Sequence, residues 1–138
     1  MSATYLLDTN TVSYIAKGKS PAARSRLESL GVEDTVCISS ITEAELRYGL
    51  AKRPGAHALR AAVEALLFKL RILPWGSKEA IAYGDLRARL EASGIVLSEM
   101  DLLIAAQAIA TGAVLVTNDK AFSQVTELRS IVNWASDL

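Results

Sequence analysis

Acidic residues follow apolar runs at several separate places along this chain. Asp8 directly follows the apolar run YLL, and Asp119 follows the run AVLVTN. Glu43 and Glu45 lie in a helix-like stretch just after the run TVCIS, and Asp101 lies near the start of another such stretch. Carboxylates that gather without counter-charges repel one another, and a bound cation relieves that repulsion. The pattern therefore predicts an oxygen-only site for Mg²⁺ or Mn²⁺, of the kind that hydrolyses phosphodiesters.

Each of these acids also has a purely structural interpretation. Asp8 could form a turn, because an aspartate side chain readily hydrogen-bonds the nearby backbone. Asp101 lies three residues after Ser98, which fits a capping box, and Asp119 could cap the segment that follows it. The set as a whole is harder to explain in this way, because all its members fall where strands end or helices begin.

Glu43 and Glu45 compete for a single place in the predicted site. The pattern Ser40-x-x-Glu43 fits a capping box, in which the glutamate hydrogen-bonds back to the start of its helix. Thr42-x-x-Glu45 fits the same pattern less well. Spacing alone therefore favours Glu45 only slightly as the free carboxylate.

Strands and helices alternate along the sequence. A parallel sheet covered by helices on both faces follows from such alternation, and ligands of such sheets bind at the carboxyl ends of the strands. Pro21 suits the first turn of a helix that ends near Gly31, and Gly94 and Gly112 suit the ends of two later helices. The predicted strands are residues 4–7, TVCIS, RILPW, AVLVTND and RSIVNW, and the predicted helices are a stretch from Val12, PAARSRLESL, SITEAELRYGLAKR, AHALRAAVEALLFKLRIL, SKEAIAYGDLRARLEASG and SEMDLLIAAQAIATG.

The composition indicates a compact protein without net charge. The chain has 138 residues, 51% of them hydrophobic, with 15 basic and 15 acidic side chains. We therefore expect one domain, residues 1–138, that buries a sizeable core. Zero net charge argues against nucleic-acid binding through a general positive surface, but not against a local basic rim around an acidic site.

The sequence also bears on the compartment. Cys37 is the only cysteine, so an internal disulfide is impossible. The N-terminus lacks the basic region and long apolar stretch of a secretory signal. The most apolar segment, LLIAAQAIATGAVLVT, is too short and too interrupted to cross a bilayer. We therefore expect a cytoplasmic protein with no membrane segment.

Four stretches of the chain resemble one known family. LLDTN, ISSITEAELRYG, MDLLIAAQAIATGAVLVTND and the trailing F..V are similar, in this order, to the PIN-domain ribonucleases, and more narrowly to the VapC toxins of bacterial toxin–antitoxin pairs. The resemblance runs from about Tyr5 to Trp134. It implies a single PIN domain in the α/β class, a Rossmann-like α/β/α sandwich with a central parallel sheet.

The resemblance also implies which residues form the site. Asp8, Glu45, Asp101 and Asp119 match the family's acids, which are catalytic and bind Mg²⁺ or Mn²⁺. The choice between the two glutamates is settled in favour of Glu45, which leaves Glu43 as a helix cap. Many relatives carry Asn in place of Asp119, so we expect that acid to help without being essential. The polar residues expected beside the acids are Thr9, Asn10, Thr117 and Asn118, with the two threonines orienting acids or waters.

The activity implied by the resemblance is that of a metal-dependent endoribonuclease. Such a toxin hydrolyses RNA phosphodiesters, with transfer RNA among the candidate substrates, and so restrains translation and growth. A homodimer and a cognate VapB-type antitoxin are expected as partners. Positive charge should flank the acidic pocket, and the candidates are Arg47, which we favour, Lys120, Lys17 and Lys19.

Two other functions are compatible with parts of the pattern. An aspartate-based phosphatase or phosphotransfer domain also places an Asp at the end of a strand, but haloacid-type phosphatases need a second Asp where this chain has Asn10. A non-catalytic RNA-binding PIN module would keep the fold and lose the acids. All four acids are present in this chain.

Overall fold

A parallel sheet between two layers of helices forms the centre of the molecule. The structure is a computed structural model that describes residues 2–138. Its strands are β1 (Thr4–Leu7), β2 (Thr35–Ser39), β3 (Arg71–Leu73), β4 (Val114–Val116) and β5 (Ile131–Val132). Its helices are α1 (Thr9–Ala16), α2 (Pro21–Glu28), α3 (Ser40–Ala51), α4 (His57–Lys69), α5 (Ser77–Ala92), α6 (Glu99–Thr111) and a short 3₁₀ helix (Lys120–Gln124).

The strand order creates a crevice at one edge of the sheet. The order is β3-β2-β1-β4-β5, and all neighbouring strands are parallel. From β1 the chain adds β2 and then β3 on one side of the sheet. It then crosses over and adds β4 and β5 on the other side, so the direction of strand addition reverses between β1 and β4. Ligands of open α/β sheets bind outside the carboxyl ends of the strands at such a reversal.

Alternating residues of the central strand face two separate cores. Leu7 belongs to a core with Val12 of α1 and Leu66 of α4, whereas Leu6 belongs to a core with Leu90 of α5 and Ile104 of α6. Successive side chains of a strand point to opposite faces of a sheet, so helices cover both sides. This confirms the expected α/β/α sandwich around a parallel sheet.

The predicted elements are confirmed, with small differences at their ends. α1 begins at Thr9, earlier than Val12, because the side chain of Asp8 caps it by accepting from the Thr11 N–H at 2.9 Å. Pro21 occupies the first turn of α2, as expected, but that helix ends at Glu28 rather than near Gly31. α6 ends before Gly112, as expected.

Gly112 terminates α6 because its backbone adopts φ of +68°, a left-handed conformation that glycine reaches without a Cβ penalty. The apolar segment around it therefore divides into the end of α6, a turn and β4.

Among the helices of residues 2–138, none is both long enough and apolar enough to span a membrane.

Candidate active site

Asp8 lies between the central strand and α1, and protein contacts hold both of its carboxylate oxygens. Oδ1 accepts from the Thr11 N–H at 2.9 Å, and Oδ2 accepts from the Thr117 hydroxyl at 2.5 Å. The side chain of Asp8 is buried, as is that of Thr117. Because Thr117 directly follows β4, this hydrogen bond connects the carboxyl ends of β1 and β4.

Glu45 is held by a chain of two hydroxyls. The Thr9 hydroxyl donates to Glu45 Oε1 at 2.7 Å and lies 3.1 Å from the hydroxyl of Thr42. A hydroxyl has one hydrogen, so Thr42 must donate to Thr9 while Thr9 donates to the carboxylate. Thr42 therefore fixes the hydroxyl that orients Glu45.

Thr42 is a site residue that sequence reasoning missed. Its side chain is fully buried, whereas the sequence pattern indicates only a helix cap at this position. The one signal in the sequence is its position three residues before Glu45, which places both side chains on the same face of α3. A buried threonine carries no mark of this role until the fold brings Thr9 beside it.

Asp101 and Asp119 lie at the starts of two further helical segments. Ser98 caps α6, since its hydroxyl oxygen accepts from the Asp101 N–H at 3.2 Å, which is one of the two hydrogen bonds of a capping box. Asp119 caps the 3₁₀ helix, since its Oδ1 accepts from the Ala121 N–H at 2.9 Å. The structural interpretation of Asp119 is thus correct, and the same side chain still lies at the carboxyl end of β4.

The four acids are close enough to influence one another. The pKa of Asp101 is raised, first by burial of its carboxyl group and then by the negative charges of Asp119, Asp8 and Glu45, against an opposing hydrogen bond from Ser98. Within residues 2–138, no lysine or arginine forms an ion pair with any of the four acids. The fold therefore gathers these acids and leaves their charges uncompensated.

Asp101→Asn is expected to raise the Tm of the metal-free protein at pH 7. A carboxyl whose pKa is raised on folding destabilises the folded state above that raised pKa, and the penalty disappears below the unfolded value of about 3.9. Thermal unfolding in EDTA should therefore separate variant from wild type at pH 7, and the difference should shrink in acid. A lower Tm for the variant at pH 7 would contradict the repulsion between these acids.

Glu43 does not cap α3, contrary to expectation. Ser39, one residue earlier than expected, is the cap, and its hydroxyl accepts from the Ile41 N–H. Ser40 instead accepts from the Trp75 N–H. Glu43 pairs with Arg47 at 2.9 Å, one turn further along the helix.

The remaining sequence candidates differ in exposure and in the contacts they already make. Arg47 is shared between Glu43 and Glu64, at 2.9 and 3.1 Å, so much of its charge is already compensated. Lys17 and Lys120 are exposed, at the end of α1 and the start of the 3₁₀ helix. Whether any of these cations binds RNA stays a prediction. Asn10 is exposed, Asn118 is partly buried, and Lys19 is exposed in the turn after α1.

The chemistry of the gathered side chains fits a hard divalent cation. Every ligand that the four acids offer is an oxygen, and their mutual repulsion would be relieved by positive charge. Within residues 2–138, no three Asp, Glu, His or Cys side chains form a ready-made cage for a metal ion. Mg²⁺ needs no such cage, because it keeps several waters and usually takes one or two carboxylates together with substrate phosphates.

Known proteins resemble this chain along nearly its whole length. The family model described as PIN domain matches residues 5–128. Ribonuclease VapC2 of Rickettsia felis is 37% identical over 131 residues, which are 94% of this chain and 97% of that protein. The tRNA(fMet)-specific endonuclease VapC of Salmonella typhimurium is 35% identical over 131 residues, with the same shares covered.

Solved structures agree with these sequence relatives. The crystal structure of VapBC2 from Rickettsia felis bound to a DNA fragment from its promoter superposes with a TM-score of 0.88 at 36% identity, over 95% of this chain and 98% of that one. DNA-bound VapBC from Salmonella typhimurium gives a TM-score of 0.86 at 33% identity, over 96% and 98%. This chain therefore belongs to the PIN-domain family and, within it, to the VapC ribonucleases.

Proposed function

We propose that this protein is a metal-dependent endoribonuclease that acts as the toxin of a type II toxin–antitoxin pair. The observation that carries the proposal is the meeting, where the sheet order reverses, of four acids that form no ion pair with any basic side chain of residues 2–138. In this site Asp8, Glu45, Asp101 and Asp119 would hold Mg²⁺ or Mn²⁺, directly or through water. The gathered charges, and the membership of the VapC ribonucleases, support this proposal over a non-catalytic module.

The chain's own contacts preset the geometry of two of these acids. Thr117 and the Thr11 N–H hold the Asp8 carboxylate, and Thr9 holds that of Glu45. Oxygens oriented before the substrate arrives need not reorganise during the reaction, which is where much catalytic advantage arises. A bound divalent ion would favour an attacking hydroxide and stabilise negative charge on the leaving oxygen.

The proposed substrate is single-stranded or looped RNA, cut to leave a 5′-phosphate. The Salmonella typhimurium relative is named for its action on initiator transfer RNA, so transfer RNA is the first substrate to examine. Phosphates approaching four negative charges need nearby positive charge or metal. The exposed cations around the site are suited to that role.

The proposed partners are a VapB-type antitoxin and a second copy of this chain. Support for the antitoxin comes from relatives whose crystal structures are of VapBC complexes. The second copy is implied only by the resemblance to the VapC toxins. An antitoxin that covers the acids would bring an Arg or Lys to them, because a guanidinium or ammonium group pairs well with a cluster of carboxylates. The proposed compartment is the cytoplasm.

Purified protein incubated with total cellular RNA is expected to produce discrete fragments in Mg²⁺ or Mn²⁺ and none in excess EDTA. The ends of the fragments would identify the substrate and the position of the cut. Cleavage of equal extent in EDTA would overturn metal dependence. RNA binding without cleavage in either metal would favour the non-catalytic module instead.

A further inference from the structure

A groove opens beside the acids, between α1, α3 and α4. Its volume is about 260 Å³. Thr9 and Glu45 contribute to its wall, so it is continuous with the candidate active site. The rest of its lining comes from α1 and its end, from α3 and the turn that follows it, and from α4.

The rim of this α1–α3–α4 groove carries positive charge that is not paired with acids. Lys17, Lys52 and Arg53 line it, and none of them forms an ion pair within residues 2–138. Lys52 lies over the ring of Tyr48, with its Nζ 4.9 Å from the ring centre. Arg47 lies on the same helix but already pairs with two glutamates. The free charge near Glu45 therefore lies along this groove.

The floor of the groove is apolar. Leu46, Leu59 and Val63 line it, and Leu50 lies beneath with 2% of its surface exposed. A nucleotide combines an anionic phosphate with a flat base whose faces are apolar. A basic rim above an apolar floor, in contact with an acid of the cleavage site, matches that combination.

Gly49 keeps the groove open. It lies within α3, where glycine is less favourable than every residue but proline, and its backbone has no left-handed conformation that would require glycine. A Cβ placed on it would meet nothing within 4 Å. Packing therefore does not require glycine here. A large side chain at this position would instead enter the groove.

We propose that the α1–α3–α4 groove binds one nucleotide of the RNA strand next to the phosphate that is cut, with Lys17, Lys52 and Arg53 contacting its phosphates. The inference rests on the proposed function and assigns the substrate a path across the protein. It also makes Lys52 and Arg53, which sequence reasoning did not single out, part of the RNA-binding surface in place of Arg47.

The first test measures binding of a short, fluorescently labelled single-stranded RNA in the Asp8→Asn background, where the probe stays intact. Lys52→Ala combined with Arg53→Ala should weaken binding about tenfold or more. Removing one cation that neutralises a phosphate should reduce the slope of log affinity against log salt concentration by about 0.7, and removing two should reduce it by roughly 1.4. The matched control combines Lys69→Ala with Arg129→Ala, which removes the same charges where strands begin, at the opposite edge of the sheet.

The second test fills the groove without removing charge. Gly49→Leu should weaken RNA binding about tenfold or more while its Tm stays at or above that of the parent protein, because leucine favours a helix. Gly49→Ala should keep RNA binding. Gly84→Leu is the matched control, since Gly84 is also within a helix with open space around it but does not line the groove.

The outcomes separate this inference from the proposed function. If the wild-type protein cuts RNA with metal and Asp8, but the groove variants bind the probe as their controls do, the inference alone is overturned. The same holds if the groove variants lose only a protein partner. If the wild-type protein cuts no RNA, yet the groove variants lose the probe, the groove assignment survives and the proposed function fails.

Discussion

The Asp8→Asn protein is expected to fold normally and to lose RNA cleavage by on the order of 10²–10³-fold, the effect typical of removing one group that stabilises transition-state charge. The substitution removes the negative charge of Asp8, whose carboxylate the Thr117 hydroxyl holds at the point where the strand order reverses. Cleavage of the RNA substrate at saturating Mg²⁺, alongside thermal unfolding by circular dichroism, measures both quantities on the same preparation.

The fold should survive because the asparagine can keep most of the contacts of Asp8. Its Oδ1 can still accept from the Thr11 N–H. Its amide group can donate to the Thr117 hydroxyl, an oxygen that also accepts from the Asp119 N–H at 3.0 Å and has room for a second donor. The Thr117 hydrogen then loses its acceptor, which costs roughly 1 kcal/mol of unfolding free energy.

Asp34→Asn is the matched control for Asp8→Asn. Like Asp8, Asp34 accepts one hydrogen bond on each carboxylate oxygen, in its case from the Ala3 and Gly31 N–H groups, but it precedes β2 at the opposite edge of the sheet. We expect it to lower stability slightly and to leave cleavage unchanged. Full cleavage by purified Asp8→Asn protein would remove Asp8 from the active site.

Glu45→Gln is expected to reduce RNA cleavage strongly, whereas Glu43→Gln on the same helix is expected to leave it nearly unchanged. Glu45→Gln should reduce cleavage on the order of 10²-fold, because it removes one of the four gathered charges while glutamine keeps the size and a hydrogen-bond acceptor for Thr9. Glu43→Gln should leave cleavage within about twofold, because Glu43 faces Arg47 rather than the other acids.

The stability effects of this pair should be small. The Glu43–Arg47 contact is a surface pair one turn apart on α3, and such pairs contribute little to the free energy of unfolding because solvent screens their charges. The two variants have the same change of charge and side-chain shape on the same helix, so each is the control for the other. Equal loss of cleavage in both variants, or a loss in Glu43→Gln alone, would show that the two glutamates have been assigned to the wrong roles.

The sequence by itself determined the sheet, the order of elements and the place of the acids. Apolar runs such as TVCIS and AVLV are short and bounded by polar residues, and this local pattern distinguishes strands from helices. In a parallel sheet all carboxyl ends share one edge, so acids after β1 and β4 had to lie there together. The family motifs, which span nearly the whole chain, then selected Glu45 and indicated ribonuclease activity.

Only the tertiary structure decided how the side chains around that site are engaged. The hydroxyl chain from Thr42 through Thr9 to Glu45 joins residues more than 30 positions apart, and the Arg47–Glu64 pair crosses from one helix to the next. Hydrophobic periodicity indicates which face of a helix or strand is buried. It does not indicate which side chains of other elements contact that face. Contacts between different elements therefore decide the role of Thr42, the pairing of the Arg47 charge with two glutamates and the open groove beside Gly49. These contacts exist only in the folded chain.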